Sequence, residues 1–122
     1  MNGKLYSFDK LKEIAQDDDA FVQEMITTFI DTVSEEVTNI ERLMDTDEWK
    51  AIGGIAHKLA SNYAYMDSES LYALSANIEI KIKSGCDFIE IAAMARQMCA
   101  DSLLLIAELR KINNDKNESV DL

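Results

Sequence analysis

The chain has 122 residues, a formal net charge of −11, no proline and four glycines, with 48% hydrophobic residues. That is enough apolar material for one core in one domain, and too few turn-forming residues for a sheet-rich fold. A nucleic-acid binder needs a basic surface to displace counterions, and an anionic membrane surface repels a chain this acidic, so neither partner is expected.

The start, Met1 to Ser7, has no apolar signal core, and no apolar run approaches the roughly 18 residues of a membrane span. The expected location is the cytoplasm. The initial methionine and a polar tail lean toward a free-standing protein.

Ser7 can cap a short helix from Phe8 to about Ala15. Asp17, Asp18 and Asp19 then precede a long pattern, where acids complement a helix start and one of them can cap it. Its apolar residues, Val22, Ile26, Phe29, Val33, Val37, Ile40 and Met44, recur every three or four positions, the spacing of one helix stripe. Asp31, Glu35, Glu41 and Asp45 fall on the opposite face.

Asp47 can cap the next helix, whose seam is Trp49, Ile52, Ala56, Leu59, Tyr63 and Met66. Asp67-Ser68-Glu69 reads as a turn with a new cap. Leu71, Leu74, Ile78 and Ile82 form a fourth stripe, closed by Ser84-Gly85 with Gly85 as the residue that ends the helix. Asp87 opens the last helix, with the stripe Ile91, Ala95, Met98, Ser102, Leu105 and Leu109. The ends, 1–6 and 113–122, are expected to fray. The expected fold is all-α: an antiparallel up-down four-helix bundle with a short additional N-terminal helix, as one domain over 1–122.

Cys86 and Cys99 lie 13 residues apart in a helical stretch, roughly 20 Å along a straight helix, too far for a disulfide. They read as reduced thiols, with Cys99 as core filler. No CxxC motif or His–Cys set is present, so a zinc site has no ligands and no metal is expected.

The single histidine, His57, follows Ala56 of the seam by one position, about 130° from the seam's centre. It should stand at the edge of the core, toward solvent. Its same-face neighbours, Gly53, Gly54, Ala60 and Ser61, are all small. Two glycines inside a helix cost roughly 1 kcal/mol each relative to alanine. Either they clear space for a partner at the imidazole, or they admit a neighbouring helix at close range.

Folding the third and fourth helices about Ser68 sets His57, eleven residues before, level with Glu79, eleven residues after. Glu79 could then accept a hydrogen bond from His57 Nδ1–H and leave Nε2 as the outward nucleophile. The plainer alternatives are a surface histidine without a role and a surface acid paired with Lys83 at i+4.

These residues resemble a known family. Ile55-Ala56-His57-Lys58-Leu59-Ala60-Ser61 is similar to the signature of the histidine phosphotransfer (HPt) domains of multistep phosphorelays in two-component signalling. Leu74-Ser75-Ala76-Asn77-Ile78-Glu79 resembles its second element, in which a Glu or Gln faces the histidine. Leu11, Ile14, Asp18, Phe21, Met25 and Phe29 resemble the family's opening, and Trp49 fits as well. The resemblance implies that His57 is a phosphoacceptor, taking a phosphoryl group from one receiver-domain aspartate and passing it to another. It implies a signal-transduction phosphoprotein with no kinase activity and no cofactor of its own, the Mg²⁺ belonging to the receiver.

Response-regulator receivers and a hybrid sensor kinase are the implied partners, and a monomer is expected because the docking surface must stay open. Lys58, Lys50 and Lys83 are candidates to screen the phosphate, and Gly53, Gly54 and Ser61 to support the site. Two departures stand out: Ala60 replaces the family's usual lysine, and Asp67 replaces a glycine commonly found ten residues after the histidine.

One rival reading is a helical adaptor of the same fold that binds receivers or kinases without carrying phosphate. A di-metal carboxylate enzyme is nearly excluded, since its Glu-x-x-His pairs need more than one histidine.

Overall fold

The computed structural model describes residues 6–85 and 87–121, with side chains through Asn113. Five helices follow in chain order: α1 (Asp9–Ala15), α2 (Asp19–Asp45), α3 (Trp49–Tyr65), α4 (Glu69–Ser84) and α5 (Phe88–Asp121). Three-residue links leave neighbours no choice but to run antiparallel. α3 packs on α2 and α4, α5 closes the ring against α2 and α4, and α1 lies on α2. This is the expected up-down four-helix bundle with its short leading helix, and the described residues contain no strand.

The stripes read from the sequence face inward. Val22, Ile26, Phe29, Val33, Val37 and Ile40 of α2 are buried, as are Ile52, Ala56, Leu59 and Tyr63 of α3. Met44, Trp49, Leu74 and Ile82 sit at the rim, half-buried against the core. Tyr63 is fully buried, edge-on to Phe29 at 6.4 Å, with its hydroxyl 2.9 Å from Ser102 Oγ of α5. A phenol in a core needs such a partner, and Ser102 supplies it from across the bundle. Cys99 is buried and free, while Cys86 lies outside the described residues.

The helix ends divide into expected and corrected. Asp18 caps α2, its carboxylate accepting from the N–H groups of Ala20 (3.1 Å) and Phe21 (3.2 Å). Asp87 accepts from Ile89 and Glu90 at the start of α5. Gly85 ends α4 in the left-handed conformation, φ +70°. α1 begins at Asp9 rather than Phe8, with Ser7 Oγ accepting from Asp9 N–H at 3.2 Å.

Asp47 does not cap α3. It lies at φ +56°, and Glu48 takes the N-cap position without a side-chain bond. Ser68 holds the N-cap of α4, but its buried Oγ has no hydrogen-bond partner among the described residues. The reason at Asp47 is backbone: a three-residue link must reverse the chain, and that residue absorbs the reversal with positive φ. Asp67 does the same after α3, at φ +52°. That geometry explains the departure at this position, since glycine reaches it freely and aspartate tolerates it better than most residues. The backbone of α5 is helical to Asp121; residues 1–5, residue 122 and the side chains of 114–121, where fraying is expected, lie outside the described residues.

Candidate functional site

α3 and α4 form the hairpin counted from the sequence, and it brings His57 level with Glu79. His57 Nδ1 stands 2.9 Å from Glu79 Oε2. The imidazole side chain is 75% exposed, so its other nitrogen, Nε2, is open to an approaching molecule. Lys83, one turn along α4, donates to the same Glu79 oxygen at 3.1 Å. Glu79 thus combines the plain pairing with the expected one: it pairs with Lys83 and it holds the histidine. The Lys83 hydrogen bond first, and the His57 hydrogen bond second, hold the Glu79 carboxyl below its ordinary value. An ionised Glu79 only accepts, so the Nδ1 proton stays between the two and the Nε2 lone pair faces outward.

The two glycines have different jobs. A Cβ on Gly53 would stand 3.3 Å from Ile82 Cδ1, so this glycine admits α4 at close range. A Cβ on Gly54 would meet nothing within 4 Å; it lies on the open side, where its missing side chain leaves room beside the imidazole. Lys50, Gly53, Gly54, His57, Glu79, Ile82 and Lys83 together line an open concavity of about 410 Å³. Lys50 and Lys83 therefore share the histidine's hollow, and Lys50 makes no ion pair with the described residues.

Lys58 and Ser61 belong elsewhere. Lys58 turns toward α2, where its ammonium lies 2.8 Å from Glu36 Oε2. Asn39 donates to the other Glu36 oxygen at 2.8 Å. These two hydrogen bonds hold the Glu36 carboxyl below its ordinary value, and the pairing raises Lys58. Ser61 Oγ donates to the Lys58 carbonyl on its own helix. Sequence reasoning missed Glu36. The signal was present: it falls within the apolar stripe of α2, beside Val33 and Val37, where a carboxylate requires a partner.

A second, more enclosed hollow of about 210 Å³ lies between α1, α2 and the end of α3, where Leu11, Phe21, Met25, Phe29, Tyr65 and Met66 give it a largely apolar lining. Tyr65, 44% exposed, is eight residues past His57 on α3, about 12 Å along the helix. Among the described residues no cluster of His, Cys, Asp or Glu is placed to hold a metal ion, and no helix is long and apolar enough to cross a membrane.

The fold and site together define an all-helical bundle that presents one exposed imidazole, held by a carboxylate on the adjacent helix. The sequence pattern of the Hpt domain matches residues 24–114, and the chain belongs to that family of histidine phosphotransfer domains. Domains of this family are phosphocarriers of phosphorelays rather than kinases. Its relatives include the virulence sensor protein BvgS of Bordetella bronchiseptica, 24% identical over 106 residues, and those of Bordetella parapertussis and Bordetella pertussis, each 23% identical over 106 residues. In each case the match covers 86% of this chain and 9% of the relative. No solved structure matches the chain significantly.

Proposed function

We propose that His57 accepts a phosphoryl group from the phosphorylated aspartate of one receiver domain and passes it to the aspartate of another. The Nε2 lone pair forms the N–P bond as the P–O bond to the donor aspartate breaks, and the electron pair leaves with that carboxylate. The imidazole ring gains positive charge in this step, and Glu79, still accepting from Nδ1–H, offsets it. The return step runs the same bonds in reverse onto the second aspartate. Mg²⁺ bound in the receiver's own acidic pocket would neutralise the phosphoryl oxygens on its side.

The observation that carries this reading is the 2.9 Å His57–Glu79 contact beneath an exposed imidazole. Lys50 and Lys83, in the same concavity, are the cations to compensate for Ala60, where the family's usual lysine is missing. Lys58 contributes by fastening α3 to α2 through Glu36 rather than by meeting the phosphate. Receiver domains dock over this face, with the apolar hollow near Tyr65 and Phe21 as a second contact area. The relatives are named as sensor proteins and the chain spans about a tenth of their length, which supports a hybrid sensor kinase as donor. Such a relay operates in the cytoplasm.

The test is phosphoryl uptake from labelled, phosphorylated receiver domains with Mg²⁺, beside a His57→Ala variant. Acid-labile, alkali-stable label on the wild type alone is expected. Binding to a receiver without any label would instead favour the adaptor that carries no phosphate.

A further inference from the structure

Four of the large apolar side chains exposed among the described residues belong to α5: Phe88, Ile89, Leu103 and Leu104, with Ile89 at 83% and Leu104 at 62%. At 100° per residue, Ile89, Ala93, Ala100, Leu104 and Ala107 fall within about 40° of one line, opposite the buried stripe, with Arg96 at one edge of that band and Lys111 closing it at the C-terminal end. Ala93, Ala100 and Ala107 repeat every seven residues, the period of a two-helix seam.

Charge singles out the same face. Between Phe88 and Asn113, the acids Glu90, Asp101 and Glu108 are matched by the bases Arg96, Arg110 and Lys111, in a chain whose net charge is −11. The bases Arg96 and Arg110 flank the seam on one side; the acids Asp101 and Glu108 flank it on the other. Neither arginine forms an ion pair with the described residues.

That asymmetry chooses an orientation. Two antiparallel helices related by a twofold bring like flanks together, acid on acid and base on base. Two parallel helices bring opposite flanks together, so that Arg96 meets the partner's Asp101, five residues on, once on each side of the seam. We propose that α5 pairs in parallel and in register with α5 of a second copy, with Ala93, Ala100, Leu104 and Ala107 at the contact. The seam from Ile89 to Lys111 is about 33 Å long and one helix wide, roughly 300 Å² per copy, so the pair is weak, with Kd on the order of 10⁻⁴ M. This departs from the monomer expected of the sequence. It leaves the histidine accessible, because α5 packs on α2 and α4 and stands diagonally across the bundle from α3. It does not depend on the phosphotransfer reading.

Sedimentation equilibrium of the full chain, from about 10 µM to about 1 mM, brackets that Kd. The expected mass rises from 13.7 kDa toward twice that value. Leu104→Lys and Arg96→Asp should each weaken association at least tenfold while leaving the helical melt intact, and Arg96→Asp combined with Asp101→Arg should restore it. In a Cys86→Ser background, Ala93→Cys, Ala100→Cys and Ala107→Cys should each form a disulfide with its own copy on mild oxidation. Cross-linking at Ala100→Cys alone would mean an antiparallel pair and overturn the proposal. A constant 13.7 kDa across the range, or a charge exchange that fails to restore association, would overturn it as well.

Discussion

His57 and Glu79 meet at 2.9 Å because each stands eleven residues from Ser68, on opposite arms of one hairpin. The contact selects the tautomer: with the proton held on Nδ1, Nε2 is the free nitrogen. In Glu79→Ala that selection is lost, and the ¹⁵N shifts of the imidazole should move toward a mixture of the two tautomers. Phosphoryl uptake should fall about tenfold, the scale of one charge-assisted hydrogen bond. Glu79→Gln, which keeps an acceptor for Nδ1–H, should retain most of the rate. Equal loss in both variants would assign the carboxylate's charge, rather than its acceptor, the larger part.

Among the described residues, Lys50 and Lys83 are the lysines that line the histidine's hollow. Lys83→Ala and Lys50→Ala should each slow transfer severalfold, and Ala60→Lys should speed it from a cognate receiver. Rapid-quench transfer kinetics read all three. A double variant no slower than wild type would mean the receiver provides the screening charge.

Gly54→Ala separates stability from transfer. A Cβ there meets nothing within 4 Å, so the substitution should stabilise α3 by about 0.5–1 kcal/mol through the higher helix propensity of alanine. The melting temperature should rise by a few degrees while transfer slows, because the methyl group enters the space beside the imidazole. Transfer unchanged at higher stability would remove clearance as the reason for this glycine.

The core predicts an alkaline limit. Burial pushes the Tyr63 hydroxyl up to about 12. Its neutral form is favoured in the fold, so this stability is complete below the ordinary tyrosine value of 10.0 and is lost as pH rises toward about 12. Tyr63→Phe should remove that loss from a pH series of urea unfolding curves. It should cost about 1 kcal/mol at neutral pH, since Ser102 Oγ is left buried without its partner.

Glu36 sets the corresponding acid limit. Its carboxyl is held below the ordinary value of 4.5 by the Lys58 and Asn39 hydrogen bonds, so its contribution is present above that value and is lost as pH falls below it. Glu36→Gln should flatten the fall in stability below about pH 4.5 and lower the neutral-pH melting temperature by a few degrees. An unchanged acid slope would place the acid sensitivity in other carboxylates.

The hairpin and the histidine pair were legible in the sequence because both rest on local counting. A three- or four-residue period fixes which side of a helix is buried, and a short turn fixes which residues lie level. Glu36–Lys58 was not legible in that way. It joins residues 22 apart on different helices, and its outcome depends on which way a long, flexible lysine turns. Lys58 beside a histidine suggests a phosphate ligand, yet a buried carboxylate on α2 claims it. Asp47 failed as a cap for a different reason. Sequence favours aspartate equally at N-caps and at left-handed turn positions, and only the path of the link between α2 and α3 decides between them.

The left-handed turns carry an evolutionary consequence. Gln16, Asp17, Asp47 and Asp67 all adopt positive φ outside glycine, and none of them lines the histidine's concavity. Each forgoes up to about 1 kcal/mol that an unstrained turn would supply. The chain therefore holds a reserve of thermal tolerance in its joints, accessible by single substitutions that leave the site untouched. A lineage moving to a hotter habitat could draw on those joints while its signalling chemistry stays the same.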